Sequence, residues 1–422
     1  MGARAEDTRH ADAAGGRIGM AERRLLMRIA LLAPLPPAQN GIADYADAWG
    51  EALRAAGADV AMPLRGQSLS PHALLLDKQM EKADWSEAEL VHAELGEGCG
   101  NEFLALEWLA RRYPYLPLTA TVHDPGRLIW QPVSLPWPWS QATGLPRSLR
   151  QAAVCLSAPL LLARERRLAG QLSRLIALTT TGARCLQSKM RLPVSRVAVI
   201  PHGNAAAADA PLPPGPLKLL YFGFFHPDKG IEDLLQALAL LQAARPALSE
   251  ELSLTLAGGV VADAASGNLQ GYPQRLRDYA ARLGLAEPLL EWRLNLPAAH
   301  IPRLIQAHHV MALPYREARK WVWLERMRGA SGALSWAAAC GRGAICSDAR
   351  VFAEELSHGN GALFPQGDYR ALARVLDSLL NQPGLAERWG AQAARLGRER
   401  AWPRVAGQFL DLFDSLPKRR MP

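Results

Sequence analysis

Two stretches put glycines, a lysine and a serine where a strand pattern gives way to a helix pattern, which is where a chain can hold an anion. In "YFGFFHPDKGIEDLL", Gly223 directly follows a strand and Lys229-Gly230 open a helix. Glycine lets the backbone approach a ligand closely, and a helix N-terminus beside a lysine favours negative charge. The spacing is not that of a Walker A loop, and no Ser or Thr follows the lysine. Taken alone, the stretch reads equally as a tight strand–helix turn with a solvated lysine. In "RGASGALSWAAACGRGAICSD", Ser331 and Gly332 fall in the first turn of a small-residue helix, whose free N–H groups suit a phosphate. The competing reading is that Gly332 and the Ala cluster allow close helix–sheet packing.

The histidines are graded by position. His123 closes a strand in "TVHDP" and is placed for polar chemistry, or for a loop hydrogen bond. His202 in "IPHGN" reads as a structural residue, and His92 in "VHAELG" is the weaker candidate. His308-His309 read as surface or edge residues with no third metal ligand in sight. No GxSxG, HExxH or GxGxxG is present, so hydrolase, zincin and simple dehydrogenase readings have no support.

Alternating strands and helices must position these residues. "MRIALLAPLPP" reads as a buried strand, "NGIADYADAWGEALRAAG" as a helix stopped at Gly57, and "ADVAMPL" and "LPLTATVHD" as further strands. "LIWQPVSLPWPWSQATGLPRS" is irregular and rich in Trp and Pro, and the helical pattern after it is expected to kink or break at Pro159. "RLIALTTTGARCLQSKM" and "RVAVIPHGN" continue the alternation. "AAAADAPLPPGPLK" cannot continue either element and reads as a linker, after which the series restarts at "LKLLYFG". The expected organisation is a lead-in over 1–26, an N-terminal domain over 27–204, a linker over 205–217, a C-terminal domain over 218–400 and a closing segment over 401–422. Two strand–helix series imply an α/β protein of two doubly wound, Rossmann-like domains, with ligands beyond the strand C-termini in the cleft where the domains face each other.

Composition narrows the class. With 49% hydrophobic and 21% charged residues, the 422-residue chain is globular. Its five cysteines are scattered and form no CxxC, which suits a reducing cytosol rather than a disulfide framework or zinc site. No apolar run approaches a membrane span, and residues 1–26 lack the apolar core of a secretory signal, reading as a disordered lead-in or as an over-called start before Met27. The net charge of +8 is spread without a run of five basic residues, so no nucleic-acid surface is expected.

Together "PLPPAQNGIADYADAW", "TVHDP", "VAVIPHGN", "LLYFGFFHPDKGIEDLLQALALL", "LTLAGG", "HHVMALPY", "SGALSWAAACGRGAICSD", "FAEEL" and "GALFPQGD" resemble a GT-B retaining glycosyltransferase of family 4, from Met27 to the C-terminus. The final "AWPRVAGQFLDLFDSL" is similar to the family's closing helix, which returns to the N-terminal domain. The resemblance implies transfer of a sugar from a nucleotide-diphosphate sugar to an acceptor hydroxyl with retention of configuration, in polysaccharide or glycoconjugate synthesis. Lys229 and the Gly223 turn would contact the diphosphate, with the Ser331–Gly332 helix on its other side. Gly41 would approach donor or acceptor, and His123 would face the transferred sugar. No metal or other cofactor is implied.

Three departures stand against that pattern. The arginine usual in the loop before the lysine is absent from "FFHPD". The two glutamates usual around the phosphate helix fall on Arg328 and Trp336, with Glu325 one turn earlier as a substitute donor contact. A branch of the family carries an "SG-x-L-x-[aromatic]-A" helix like "SGALSWA". Two alternatives therefore stand beside the transferase: a catalytically degenerate GT-B scaffold binding a nucleotide-sugar or partner protein, and a UDP-sugar epimerase. The acceptor would be a saccharide or a lipid-linked one. Trp130, Trp137 and Trp139 before a basic-apolar helix would give a peripheral membrane contact through 128–175, at the cytoplasmic face, or would instead cap the domain core.

Overall fold

The computed structural model describes residues 27–35, 41–70, 72–96, 99–126, 147–205, 207–259, 271–317, 329–349 and 351–417, without the side chains of 147–158. The described chain forms two compact units. The first comprises residues up to Leu178, Ala183–Ile200 and the segment from Trp402; the second comprises Thr179–Gly182 and Pro201–Ala401.

The first unit is built on β1 (Arg28–Leu32), β2 (Asp59–Ala61), β3 (Leu90–Leu95), β4 (Leu118–Val122), β5 (Arg174–Ala177) and β6 (Val197–Val199). They pair in the order β2-β1-β3-β4-β5-β6, every pair parallel. The second unit carries β7 (Leu217–Phe222), β8 (Leu252–Gly258), β9 (Leu290–Leu294), β10 (Val310–Leu313), β11 (Gly343–Ser347) and β12 (Gly361–Phe364) in the order β12-β11-β10-β7-β8-β9, again all parallel. Parallel sheets must be covered on both faces, and strands such as β4 and β11 are accordingly buried at every position.

In the first sheet the winding direction reverses between β1 and β3, and in the second between β7 and β10. Loops leaving adjacent strands in opposite directions open a crevice at such a point. Each unit thus marks one pair of strand ends for a ligand.

Several expectations change here. The helix Arg147–Gln171 runs unbroken through Pro159, which is exposed. The proline removes one N–H, and the surrounding bonds carry the helix past it. His308 and His309 are buried, not at the surface. His308 Nδ1 bonds Leu304 O at 2.7 Å, and His309 Nδ1 accepts from Lys218 N at 3.0 Å; burial lowers both pKa values. They tie the start of β10 to its neighbours. The Trp-Pro stretch with Trp130, Trp137 and Trp139 lies outside the described residues, as does the lead-in over 1–26. Among the described residues no helix is long and apolar enough to cross a membrane.

The Pro-rich segment read as a linker is fastened to the second unit by two side chains, Gln306, whose Nε2 donates to Ala208 O at 2.6 Å, and Arg342. Arg342 is 2% exposed and donates to Ala210 O at 3.1 Å, Pro211 O at 2.8 Å, Gln306 O at 2.7 Å and His308 O at 2.7 Å. Burial lowers its pKa, and carbonyl oxygens rather than a carboxylate hold the charge. Arg342→Ala strands buried acceptors at about 1–3 kcal/mol each. The variant is expected to lose on the order of 3 kcal/mol of stability, and thermolysin should cut it faster within 207–217 than it cuts the wild type.

Candidate active site

In the second unit the reversal point collects the residues read as an anion cradle. Gly223 leaves β7 with φ +153°, a region that favours glycine. Its N–H donates to Ala257 O at 3.1 Å, and Phe225 N donates to Gly259 O at 2.9 Å, so the turn lies against the end of β8. Pro227–Lys229 then form one 3-10 turn, and Gly230 at φ +63° starts the helix Ile231–Ala244. The helix therefore opens at Ile231, two residues after Lys229, which belongs to the turn before it. A side chain at Gly230 would collide with the Pro314 carbonyl, because the loop after β10 packs directly on this turn.

That loop supplies residues the sequence reading missed. Lys229 Nζ lies 3.7 Å from the centroid of the Tyr315 ring, a cation–π contact. Tyr315 is anchored from β11, where Ser347 Oγ donates to its carbonyl at 2.6 Å. Arg316 N donates to Asp228 O at 2.8 Å. The Arg316 guanidinium forks onto the fully buried Asp233 carboxylate, with Nε 2.5 Å from Oδ2, and this bond holds its pKa up. A cation thus stands beside the lysine turn although "FFHPD" lacks the arginine expected there.

The second anion element is the helix Gly332–Ala339. Ser331 is its N-cap rather than a first-turn residue, and its hydroxyl accepts from Leu334 N at 3.5 Å. The first-turn N–H groups of Gly332 and Ala333 have no partner within the helix. A Cβ at Gly332 would meet nothing within 4 Å, so close packing is not what calls for glycine there. Trp336 packs against the unit's hydrophobic core. Glu325 and Arg328 lie outside the described residues.

In the first unit the reversal point carries a buried polar row. β3 and β4 pair His92 with Thr119 and Glu94 with Thr121, and His123 follows two residues later on the same face. Glu94 is fully buried; its Oε2 lies 2.7 Å from His123 Nε2, and its Oε1 lies 3.2 Å from His92 Nε2. Burial pushes the Glu94 carboxyl up, but donation from His123 and His92 outweighs it and holds the pKa below the usual value. His92 stacks on Trp49 at 4.7 Å, and Tyr45 meets His123 edge-on at 4.7 Å. His92, the weaker candidate in the sequence, is the centre of this network. Glu94 was not singled out at all. The signal was present as "HxE", since residues two apart in a strand share a face.

Gly41 begins the helix Gly41–Ala55 at this end of the sheet, exposed, with open space around an added Cβ. Gly96, after β3, sits where a side chain would collide with Ile42. Asp124 and the helix Gly100–Arg112, with Glu102 in its first turn, complete the strand-end residues. Among the described residues, no group of three or more His, Cys, Asp or Glu side chains is arranged to hold a metal ion.

Residues 205–396, which include the lysine turn and the Ser331-capped helix, match the family model described as Glycosyl transferases group 1. Among solved structures, Anabaena Alr3699/HepE in complex with UDP-glucose superposes with a TM-score of 0.64 at 17% identity, covering 92% of this chain and 100% of that one. Sucrose-phosphate synthase from Thermosynechococcus elongatus gives 0.63 at 20% identity, covering 92% and 98%. The fold is GT-B. At the sequence level, a D-inositol 3-phosphate glycosyltransferase from Streptomyces coelicolor is 30% identical over 216 residues, 50% of this chain and 44% of that protein. One from Thermobispora bispora is 29% identical over 262 residues, 58% and 56%. The chain thus spans about half the length of the curated relatives it matches. Within this GT-B chain, the family match falls on the unit whose strand ends carry Gly223, Lys229 and Ser331.

Two expectations follow. Gly332→Ala should unfold within about 1 kcal/mol of the wild type, whereas Gly230→Ala, forced against Pro314 O at positive φ, should be clearly destabilised; thermal unfolding of both separates a site glycine from a packing glycine. Glu102, 9% exposed, has its pKa raised by burial to about 7. The folded state then holds a proton that the unfolded chain has released, so stability falls as pH rises from the ordinary glutamate value to about 7. Glu102→Gln should remove that loss, gaining on the order of 3 kcal/mol at about pH 8 and little at about pH 4.5, read from urea unfolding at both values.

Proposed function

We propose that this protein is a glycosyltransferase that moves a sugar from a nucleotide-diphosphate sugar to an acceptor hydroxyl, with retention of configuration. The observation that carries the reading is the family match over 205–396, which includes both the Gly223–Lys229 turn and the Ser331–Gly332 helix start. In this reading the diphosphate meets Lys229, the Gly223 turn and the free amides of Gly332 and Ala333, with Arg316 as the neighbouring cation. The bond from the anomeric carbon to the diphosphate oxygen breaks, a bond to the acceptor oxygen forms, and the acceptor's proton is released. Fixed positive groups stabilise the leaving diphosphate, and no metal enters the scheme. His123 is the residue we assign to the transferred sugar, with Gly41 near donor or acceptor. Glu325 and Arg328 remain assigned to donor contacts. The acceptor class is a saccharide or lipid-linked hydroxyl in polysaccharide or glycoconjugate synthesis, at the cytoplasmic side.

UDP-glucose is the first donor to test, because Alr3699/HepE, whose fold this chain shares, has been solved with it. A second reading, a nucleotide-sugar-binding scaffold without catalysis, is favoured by one observation. Trp336, where the resemblance expects a glutamate, is committed to packing on the core. Thermal unfolding with UDP-, GDP- and ADP-sugars tests donor binding. A donor at about a hundred times its Kd adds about 2.7 kcal/mol, roughly 5–10 °C. Lys229→Ala should abolish that shift while unfolding normally without ligand. A shift with no sugar transfer or donor hydrolysis would favour the scaffold. No shift with any donor would remove the nucleotide-sugar reading.

A further inference from the structure

We propose that Glu94 is a positioning residue for His123. It accepts the Nε2–H and so fixes the imidazole in the tautomer whose Nδ1 is a hydrogen-bond acceptor, presented to a hydroxyl of the transferred sugar. The identity of the group met at Nδ1 rests on the glycosyltransfer reading above; the tautomer does not.

An ionised carboxylate only accepts, so a ring nitrogen 2.7 Å from Glu94 Oε2 must carry the hydrogen. In the neutral ring the other nitrogen, Nδ1, then holds a lone pair. The ring of His123 is 10% exposed, and among the described residues the Glu94 bond is the one hydrogen bond its side chain makes. Its backbone is fixed as well, with His123 N donating to Leu95 O at 2.8 Å. Tyr45 closes one side of the ring edge-on.

Glu94 cannot swing away to satisfy itself elsewhere. Its second oxygen faces His92 Nε2 at 3.2 Å, and that ring is locked in turn. His92 Nδ1 lies 2.8 Å from Thr119 Oγ1, whose hydroxyl also reaches Val91 O at 3.3 Å. Thr121 Oγ1 lies 3.0 Å from His92 Nε2, and Trp49 stacks on the ring face. Each member of the row is oriented by the next, and the exposed end of the row is His123. A neutral acceptor there suits the reaction class. It can orient a sugar hydroxyl without setting a second positive charge beside an oxocarbenium-like centre. A histidinium would present an N–H at that position and repel the developing charge.

The titratable groups around the pair are His92 on β3, Tyr45 on the helix Gly41–Ala55, Asp124 beside His123, and Cys99 and Glu102 at the start of the helix Gly100–Arg112.

The first test needs no substrate. Long-range imidazole 15N–1H spectra of the full chain at about pH 8, with His123 assigned by its disappearance in His123→Gln, should show the Nε2–H tautomer. An Nδ1–H or averaged tautomer overturns the inference. The second test uses Glu94→Gln, whose amide can either accept from or donate to Nε2. It should lower kcat about tenfold with little change in donor KM. Unchanged kcat in a folded Glu94→Gln protein, or a loss that lies in donor KM instead, overturns the inference. If the wild type transfers no sugar from any nucleotide donor, the glycosyltransfer reading falls, and the tautomer spectrum alone decides the Glu94–His123 pair.

Discussion

Parallel pairing is the constraint from which the rest of this structure follows. Every registered strand pair in both units is parallel. Each strand must then be followed by a crossover, so strand C-termini and helix N-termini gather along one edge of each sheet. That edge holds unpaired N–H groups and a partial positive charge before any side chain is chosen. Side chains with chemistry are worth most there, and the winding order selects which two strand ends open a crevice. Gly223, Lys229, Tyr315 and Arg316 sit at one such point, and Glu94, Gly96 and His123 sit at or beside the other.

Two buried charges show how differently the units use burial. Arg342 is a cation held by carbonyl dipoles at 2.7 to 3.1 Å, with no carboxylate paired to it among the described residues, and it fastens a proline-rich strip to the sheet's start. Glu94 is an anion held by two imidazoles, and one end of its network remains partly exposed. Carbonyls cannot change protonation, so the Arg342 arrangement only holds the fold. An imidazole carries both a donor and an acceptor, so the Glu94 arrangement can present a polar group to what approaches it. The difference in partner, rather than in depth, separates scaffold from chemistry.

Much of the architecture was legible in the sequence because it is written in contiguous patterns. "LKLLYFG" and "LSLTLAGG" are apolar runs stopped by glycine, and they are β7 and β8. The glycine and lysine of the cradle were legible for the same reason, since strand, turn and helix follow one another without interruption. β3 was not, because "LVHAEL" carries a histidine and a glutamate at fully buried positions, and polar residues hide burial from any hydropathy pattern. Its partners Thr119, Thr121 and His123 lie about thirty residues away and become neighbours only through register. Arg316 was missed in the same way, since its partner Asp233 is 83 positions distant. His308 and His309 misled for the opposite reason: their surroundings read as a strand edge, while backbone groups folded over them supply the bonds that let them be buried.

The route of the chain also sets an order of events during synthesis. Apart from Thr179–Gly182, the second unit runs from Pro201 to Ala401, and Asn204 bridges to Ala401 where its two ends meet. The helix Trp402–Asp414 belongs to the first unit, where Phe409 packs on Trp49 at 5.5 Å and on His92 at 5.6 Å. A ribosome therefore delivers the last side chains of the first core only after the whole second unit has emerged. Until then the Trp49 and His92 rings lack the Phe409 and Phe413 partners they have in the finished core. The unit made first is the one completed last.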